Sequence, residues 1–184
     1  VALFWSCYLA VLFPESQERI AAEAARADLS PEAAGAAFEA LPEARAHLDE
    51  AMRLYPPAYL VVRMARKADT LPGLGTRVEE GALISMAPWV LHRHRTLWTD
   101  PERFDPARFL PGAPPPDRFA YMPFGAGPRI CVGARFALAE GVIVLARLLR
   151  EFRLEFAGDP TVVPLGRVTT QPDRPVRFRL VRRG

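Results

Sequence analysis

The sequence predicts a mainly α-helical fold with a small β region, and three observations carry that prediction. Up to about residue 55 the chain is rich in Ala, Glu, Leu and Arg and is punctuated by single prolines. Between Ala58 and Leu91, short apolar runs are bounded by glycines. From Gly133 to Phe152 an unbroken stretch carries Phe136, Ala139, Val142, Ile143, Leu145, Leu148, Leu149 and Phe152 at helical spacing, which predicts one amphipathic helix with these residues toward the core.

The helical part, 1–55, is expected in pieces. Phe13-Pro14 interrupts the apolar opening helix, and Ser30-Pro31-Glu32 reads as a cap with proline at the first helical position. Leu41-Pro42 repeats the device, and Pro56-Pro57 stops the helix that it starts. Tyr59-Leu60-Val61-Val62 and Ala82-Leu83-Ile84-Ser85-Met86 are the candidate strands. They open a region of small sheet and proline-rich meander over 58–123. Prolines 101, 106, 111, 114, 115, 116, 123 and 128 forbid regular structure over nearly thirty residues, while Phe104, Phe109, Phe119 and Phe124 offer apolar anchors. A loop at 124–133, the helix at 133–152 and a C-terminal β hairpin at 160–183 complete the chain.

Half of the 184 residues are apolar, enough for one core. Val1 to Phe13 is apolar but shorter than the roughly 20 residues of a membrane span, so a buried helix is expected there. Two cysteines make no disulfide framework, which fits a reducing, cytoplasmic setting; Cys7 reads as core. His47, His92, His94 and the two cysteines show no paired zinc spacing, and His92 reads as a structural histidine. A net charge of +3 is modest. Arginines 174, 177, 179, 182 and 183 crowd the C-terminus, and Val176-Arg177-Phe178-Arg179-Leu180 alternates as a half-exposed strand does, so a solvated strand face is expected, without the aromatic interleaving of a nucleic-acid surface.

The most informative segment is Phe124 to Gly133, F-G-A-G-P-R-I-C-V-G, a lone cysteine in a glycine-punctuated loop that runs into a helix. Alone, Cys131 would be a small buried hydrophobe. Its frame says more. The segment matches F-x-x-G-x-R-x-C-x-G at Phe124, Gly127, Arg129, Cys131 and Gly133, and so resembles the haem-binding signature of the cytochrome P450 family. Glu50-x-x-Arg53, Leu54-Tyr55-Pro56-Pro57, Arg63, Leu91-His92-Arg93, Trp98, Pro101, Phe104 and Pro106-Ala107-Arg108-Phe109 follow in the family's order. Glu43, where an aromatic is common, and Ala107, in place of the usual glutamate, depart from it.

The resemblance implies a P450-like fold, of which the chain is expected to be the C-terminal part. The family's whole fold is more than twice as long, no initiator methionine precedes Val1, and the opening residues are similar to the second half of the family's long central helix. It implies haem b (iron protoporphyrin IX) with Cys131 as the proximal iron ligand, since a thiolate ligand favours activation of oxygen. Phe124, Gly127, Arg129 and Gly133 are implied around the haem, with Arg129 on a propionate. The glycines would admit a close backbone and the positive φ that such loops can require. Arg63 is implied as a second propionate ligand, with a surface arginine on a strand as the other reading. Glu50, Arg53 and Arg108 would form a buried structural charge network, and Ala58, Leu60, Val61 and Val168 would line the substrate side. The implied activity is O2- and electron-dependent hydroxylation of a small hydrophobic organic substrate, served by a ferredoxin, flavodoxin or flavoprotein reductase. Apart from the haem ligand no catalytic residue is expected in the chain, because the family's acid/threonine pair lies upstream of the segment matching Val1. The chain alone is therefore expected to be inactive. A peroxide-using or isomerase-type haem-thiolate enzyme and a non-catalytic truncated haem-binding protein are the alternatives.

Overall fold

The computed structural model describes residues 1–184, the side chain of Ala34 excepted. Six α-helices carry the fold: α1 (Ala2–Leu12), α2 (Pro14–Arg26), α3 (Ala34–Glu39), α4 (Pro42–Leu54), α5 (Pro88–Leu91) and α6 (Ala134–Glu151). Proline is the first residue of α2, α4 and α5, where its fixed φ suits a helix and its missing N–H costs nothing. At Ser30-Pro31 this logic fails. Ser30 instead closes a turn, accepting the Ala33 amide at its Oγ (3.3 Å), and α3 begins only at Ala34.

β1 (Val61–Met64) pairs antiparallel with β4 (Leu83–Met86), and β2 (Asp69–Thr70) with β3 (Arg77–Val78). β1 starts two residues later than the apolar run suggests, because Tyr59 turns away to pack on another loop. At the C-terminus, the expected single hairpin over 160–183 is two nested ones. β5 (Phe152–Phe156) pairs with the terminal β8 (Phe178–Arg182), and β6 (Pro164–Gly166) pairs with β7 (Thr170–Pro172) between them. β5 leaves α6 without a break and is already in place to take the last strand, while prolines 160, 172 and 175 break up the intervening segment.

α1, α2, α4 and α6 close one core through Ala10, Ile20, Leu48, Val142, Leu145 and Leu149. Gly141 lets α4 and α6 approach; a Cβ there would meet Leu48 Cδ2 at 2.8 Å. Phe136, expected to face inward, is 71% exposed because it lies in the first turn of α6, outside the cover of α2 and α4. A second, aromatic cluster forms where α1 meets the exit of α4, with Trp5 stacked on Tyr55 at 3.9 Å between ring centroids.

Two polar side chains of α2 hold these elements in place. Glu23 accepts the Glu43 and Ala44 amides (2.7 and 3.0 Å), capping α4 from a neighbouring helix, since the N-cap Leu41 has no side chain that can do so. Gln17, fully buried, accepts the Leu154 amide (2.6 Å) and donates to the carbonyls of Leu154 and Ala10 (3.3 and 3.1 Å). It thereby satisfies the free edge of β5 as a further strand would. Gln17→Leu strands these groups in the core, and an expected loss of about 2–4 kcal/mol, read as a lower urea midpoint, follows from their lost partners.

Candidate functional site

The site is built on α4. Glu50 and Arg53 are both fully buried, and α4 sets them one turn apart, where they form a bidentate pair: Nε to Oε2 at 2.6 Å and Nη2 to Oε1 at 2.8 Å. Arg53 also donates from Nη1 to the carbonyls of His92 and Pro101 (each 2.7 Å) and from Nη2 to that of Arg103 (3.0 Å). These five bonds use every N–H of a guanidinium, which lysine could not do. The Trp98 ring lies 5.0 Å from the guanidinium carbon. On the other side, Glu50 accepts the Asp105 amide at 2.8 Å, and Arg108 Nε approaches it at 3.6 Å. Arg108 is the looser partner, donating also to the Asp100 carbonyl (3.1 Å). The pair thus gathers residues 92 to 108 onto one helix.

Two further contacts dock residues 121 and 122. Tyr121 donates its hydroxyl to Asp49 on α4 (2.9 Å), and burial with the nearby Asp49 charge pushes the phenol well above its ordinary range. His92, fully buried, accepts the Met122 amide at Nε2 (2.8 Å), which leaves the ring proton on Nδ1 to be donated to the Arg53 carbonyl (3.2 Å). Burial lowers its pKa to about 4, so the ring is neutral.

Beyond this dock runs the cysteine loop. Gly125 N–H donates to the Met122 carbonyl (3.1 Å), Ile130 to Gly127 (3.0 Å) and Cys131 to Phe124 (3.0 Å). Gly127 has φ +73°, a conformation reserved in practice for glycine, and so does Gly125 at +77°, a position outside the motif. Gly133 does not need such freedom, with φ −87°. It is the N-cap of α6, and a Cβ there would stand at ordinary contact, 3.9 Å, from Cys131 Sγ. Cys131 and Arg129 are exposed, beside exposed Ile130, Val132 and Phe136, while Phe124 packs against the main core. Cys7 differs: it is half-buried against that core, and burial pushes its thiol up to about 11.

Arg63 lies exposed on β1, opposite Ile84, with Nη1 on the neighbouring Val62 carbonyl (3.0 Å). The segments bearing Ala58, Leu60, Val61 and Val168 are brought together. Tyr59 donates to the Arg167 carbonyl (2.8 Å) and its ring fills the space over Gly166, while Thr170 Oγ1 donates to Pro56 (2.6 Å). Val168, at the tip of the β6–β7 turn, is 92% exposed. Sequence reasoning missed Tyr59, Thr170, Asp49 and Tyr121, for which only polarity beside apolar runs gives a signal.

A glycine-shaped cysteine loop thus runs into a long helix on a mainly helical fold with small sheets. A model of the cytochrome P450 family matches residues 1–176. The chain is 44% identical over 119 residues to cytochrome P450 4B1 of Rattus norvegicus, covering 64% of this chain and 23% of that protein. It is 34% identical over 195 residues to cytochrome P450 97B2, chloroplastic, of Glycine max, covering 89% and 33%. It is also 36% identical over 183 residues to thromboxane-A synthase of Sus scrofa, covering 96% and 34%. The chain belongs to the cytochrome P450 family, whose members bind haem b. It spans about a quarter to a third of the length of these relatives. Among the described residues, no helix is long and apolar enough to cross a membrane.

Proposed function

We propose that the chain supplies the proximal haem seat of a monooxygenase, in which Cys131 ligates the iron and a small hydrophobic substrate is hydroxylated with O2 and electrons from a ferredoxin, flavodoxin or flavoprotein reductase. The observation that carries this is Cys131 itself: an exposed thiol held by its own amide on the Phe124 carbonyl, two residues before the N-cap of α6. The donor set fits haem b, with one sulfur for iron and guanidinium groups for the propionates. When bound, the haem supplies the oxygen-activating chemistry. Arg129 holds one propionate and Arg63 a second. Gly127 permits the turn ahead of Arg129, Gly133 keeps the backbone beside the sulfur free of a Cβ, and Phe124 shields the sulfur side from water. The positive end of α6 favours negative charge in front of the helix. Glu50, Arg53 and Arg108 hold the meander, and Ala58, Leu60, Val61 and Val168 line the substrate side.

The test is spectroscopic. The intact, haem-loaded protein is expected to show the red-shifted Soret band of a thiolate-ligated reduced carbon monoxide complex, and Cys131→Ala to lose it completely; a wild-type protein without that band sinks the reading. The 184 residues alone are expected to give no hydroxylated product even with haem and a reductase, since they span only about a quarter to a third of the length of their relatives. Similarity to thromboxane-A synthase favours a second reading, a synthase that needs no reductase. Turnover that persists without any electron donor selects it.

A further inference from the structure

We propose that His92 is a positioning residue for the iron ligand, a neutral latch that sets where the cysteine loop leaves α4; this rests on Cys131 being the ligand. The ring is fully buried and both nitrogens are engaged by backbone, Nδ1 on the Arg53 carbonyl and Nε2 on the Met122 amide. His92 also accepts Arg53 Nη1 at its own carbonyl (2.7 Å), so it is bonded twice to the residue at the hub of the charge network. From Met122 the connection continues without a gap. The Met122 carbonyl takes the Gly125 amide, and the Phe124 carbonyl takes the Cys131 amide, so a relay of backbone bonds runs from α4 to the sulfur-bearing residue. Among the described residues no side chain other than His92 takes the Met122 amide, and an imidazolium could not accept it. Tyr121, bonded to Asp49 and 5.3 Å from the His92 ring, docks the adjacent residue, so the latch controls where the next one, Met122, begins the loop.

The experiment compares the wild-type protein, His92→Ala and His92→Gln in the intact haem-loaded protein. Gln is chosen because its carboxamide can both donate to Arg53 and accept from Met122. Two measurements are made: amide exchange of the peptide spanning Met122 to Cys131, and the reduced carbon monoxide spectrum. The expected result for His92→Ala is exchange of the Met122 amide about tenfold faster and loss of most of the thiolate-type band, with both largely restored in His92→Gln. If the alanine variant keeps both wild-type exchange and the wild-type band, the latch is overturned. If the alanine variant does not fold, the glutamine variant decides: a protected Met122 amide with an intact band upholds the latch, while fast exchange with an intact band overturns it. A wild-type protein without the thiolate band removes the ligand reading of Cys131, and the exchange arm then separately shows whether His92 holds Met122.

Discussion

Arg53→Ala is expected to lower folding stability by about 3–5 kcal/mol, because it leaves the Glu50 carboxylate buried without its bidentate partner. It also frees the carbonyls of His92, Pro101 and Arg103 from their common donor, so the loss falls at the upper end of that range. Arg53→Lys keeps the charge but not the fork, and should recover only part of the loss. Arg108→Ala should cost much less, since Arg108 stands 3.6 Å from Glu50 and is partly exposed. Equilibrium urea unfolding ranks the three variants. An Arg108 variant as damaged as Arg53→Ala would show that the two arginines share the carboxylate equally, against the geometry.

Acid should loosen the molecule before its ordinary carboxylates are protonated. His47 is fully buried, donating from Nε2 to the Ser6 carbonyl (2.9 Å) and pairing at Nδ1 with the Ser16 hydroxyl (2.8 Å). Burial lowers both His47 and His92 from 6.5 to about 4. Between these values the unfolded chain binds protons that the folded chain refuses, so stability is complete above pH about 6.5 and falls as the pH drops toward 4. Each histidine contributes about 3 kcal/mol to that fall. Burial pushes Glu50 and Asp49 the other way, so their contribution declines as pH rises above the usual carboxylate range. The histidine part is isolated by repeating the titration of stability in His47→Gln, which should flatten the slope between pH about 6.5 and 4. An unchanged slope would mean that His47 takes up its proton as readily in the folded protein as in the unfolded chain.

Much of the site was legible because its signals are local. Glu50 and Arg53 at i,i+3 share a helix face wherever α4 forms, and Pro42 and Pro56 mark where it begins and ends. Gly127 announced a positive φ that the structure has. The errors share a cause. At Ser30-Pro31 a serine that suits a helix cap equally suits a turn, and Phe136 fits an apolar stripe whose cover ends before it. Residues 176–180 alternate as a strand in sequence, but in β8 Phe178 and Val181 are half-buried while Leu180 is exposed, and alternation does not name the partner, which is β5.

The sequence by itself determined the family, the ligand candidate Cys131 and the helix bearing the charge pair, because motifs, caps and helical spacing act through residues a few positions apart. Only the tertiary structure decided that Arg53 is saturated by carbonyls up to fifty residues away, that Gln17 completes the edge of β5, that Glu23 caps α4 and that His92 holds Met122. A buried donor or acceptor must find a partner or lose stability, but which residue supplies it depends on how distant segments come together.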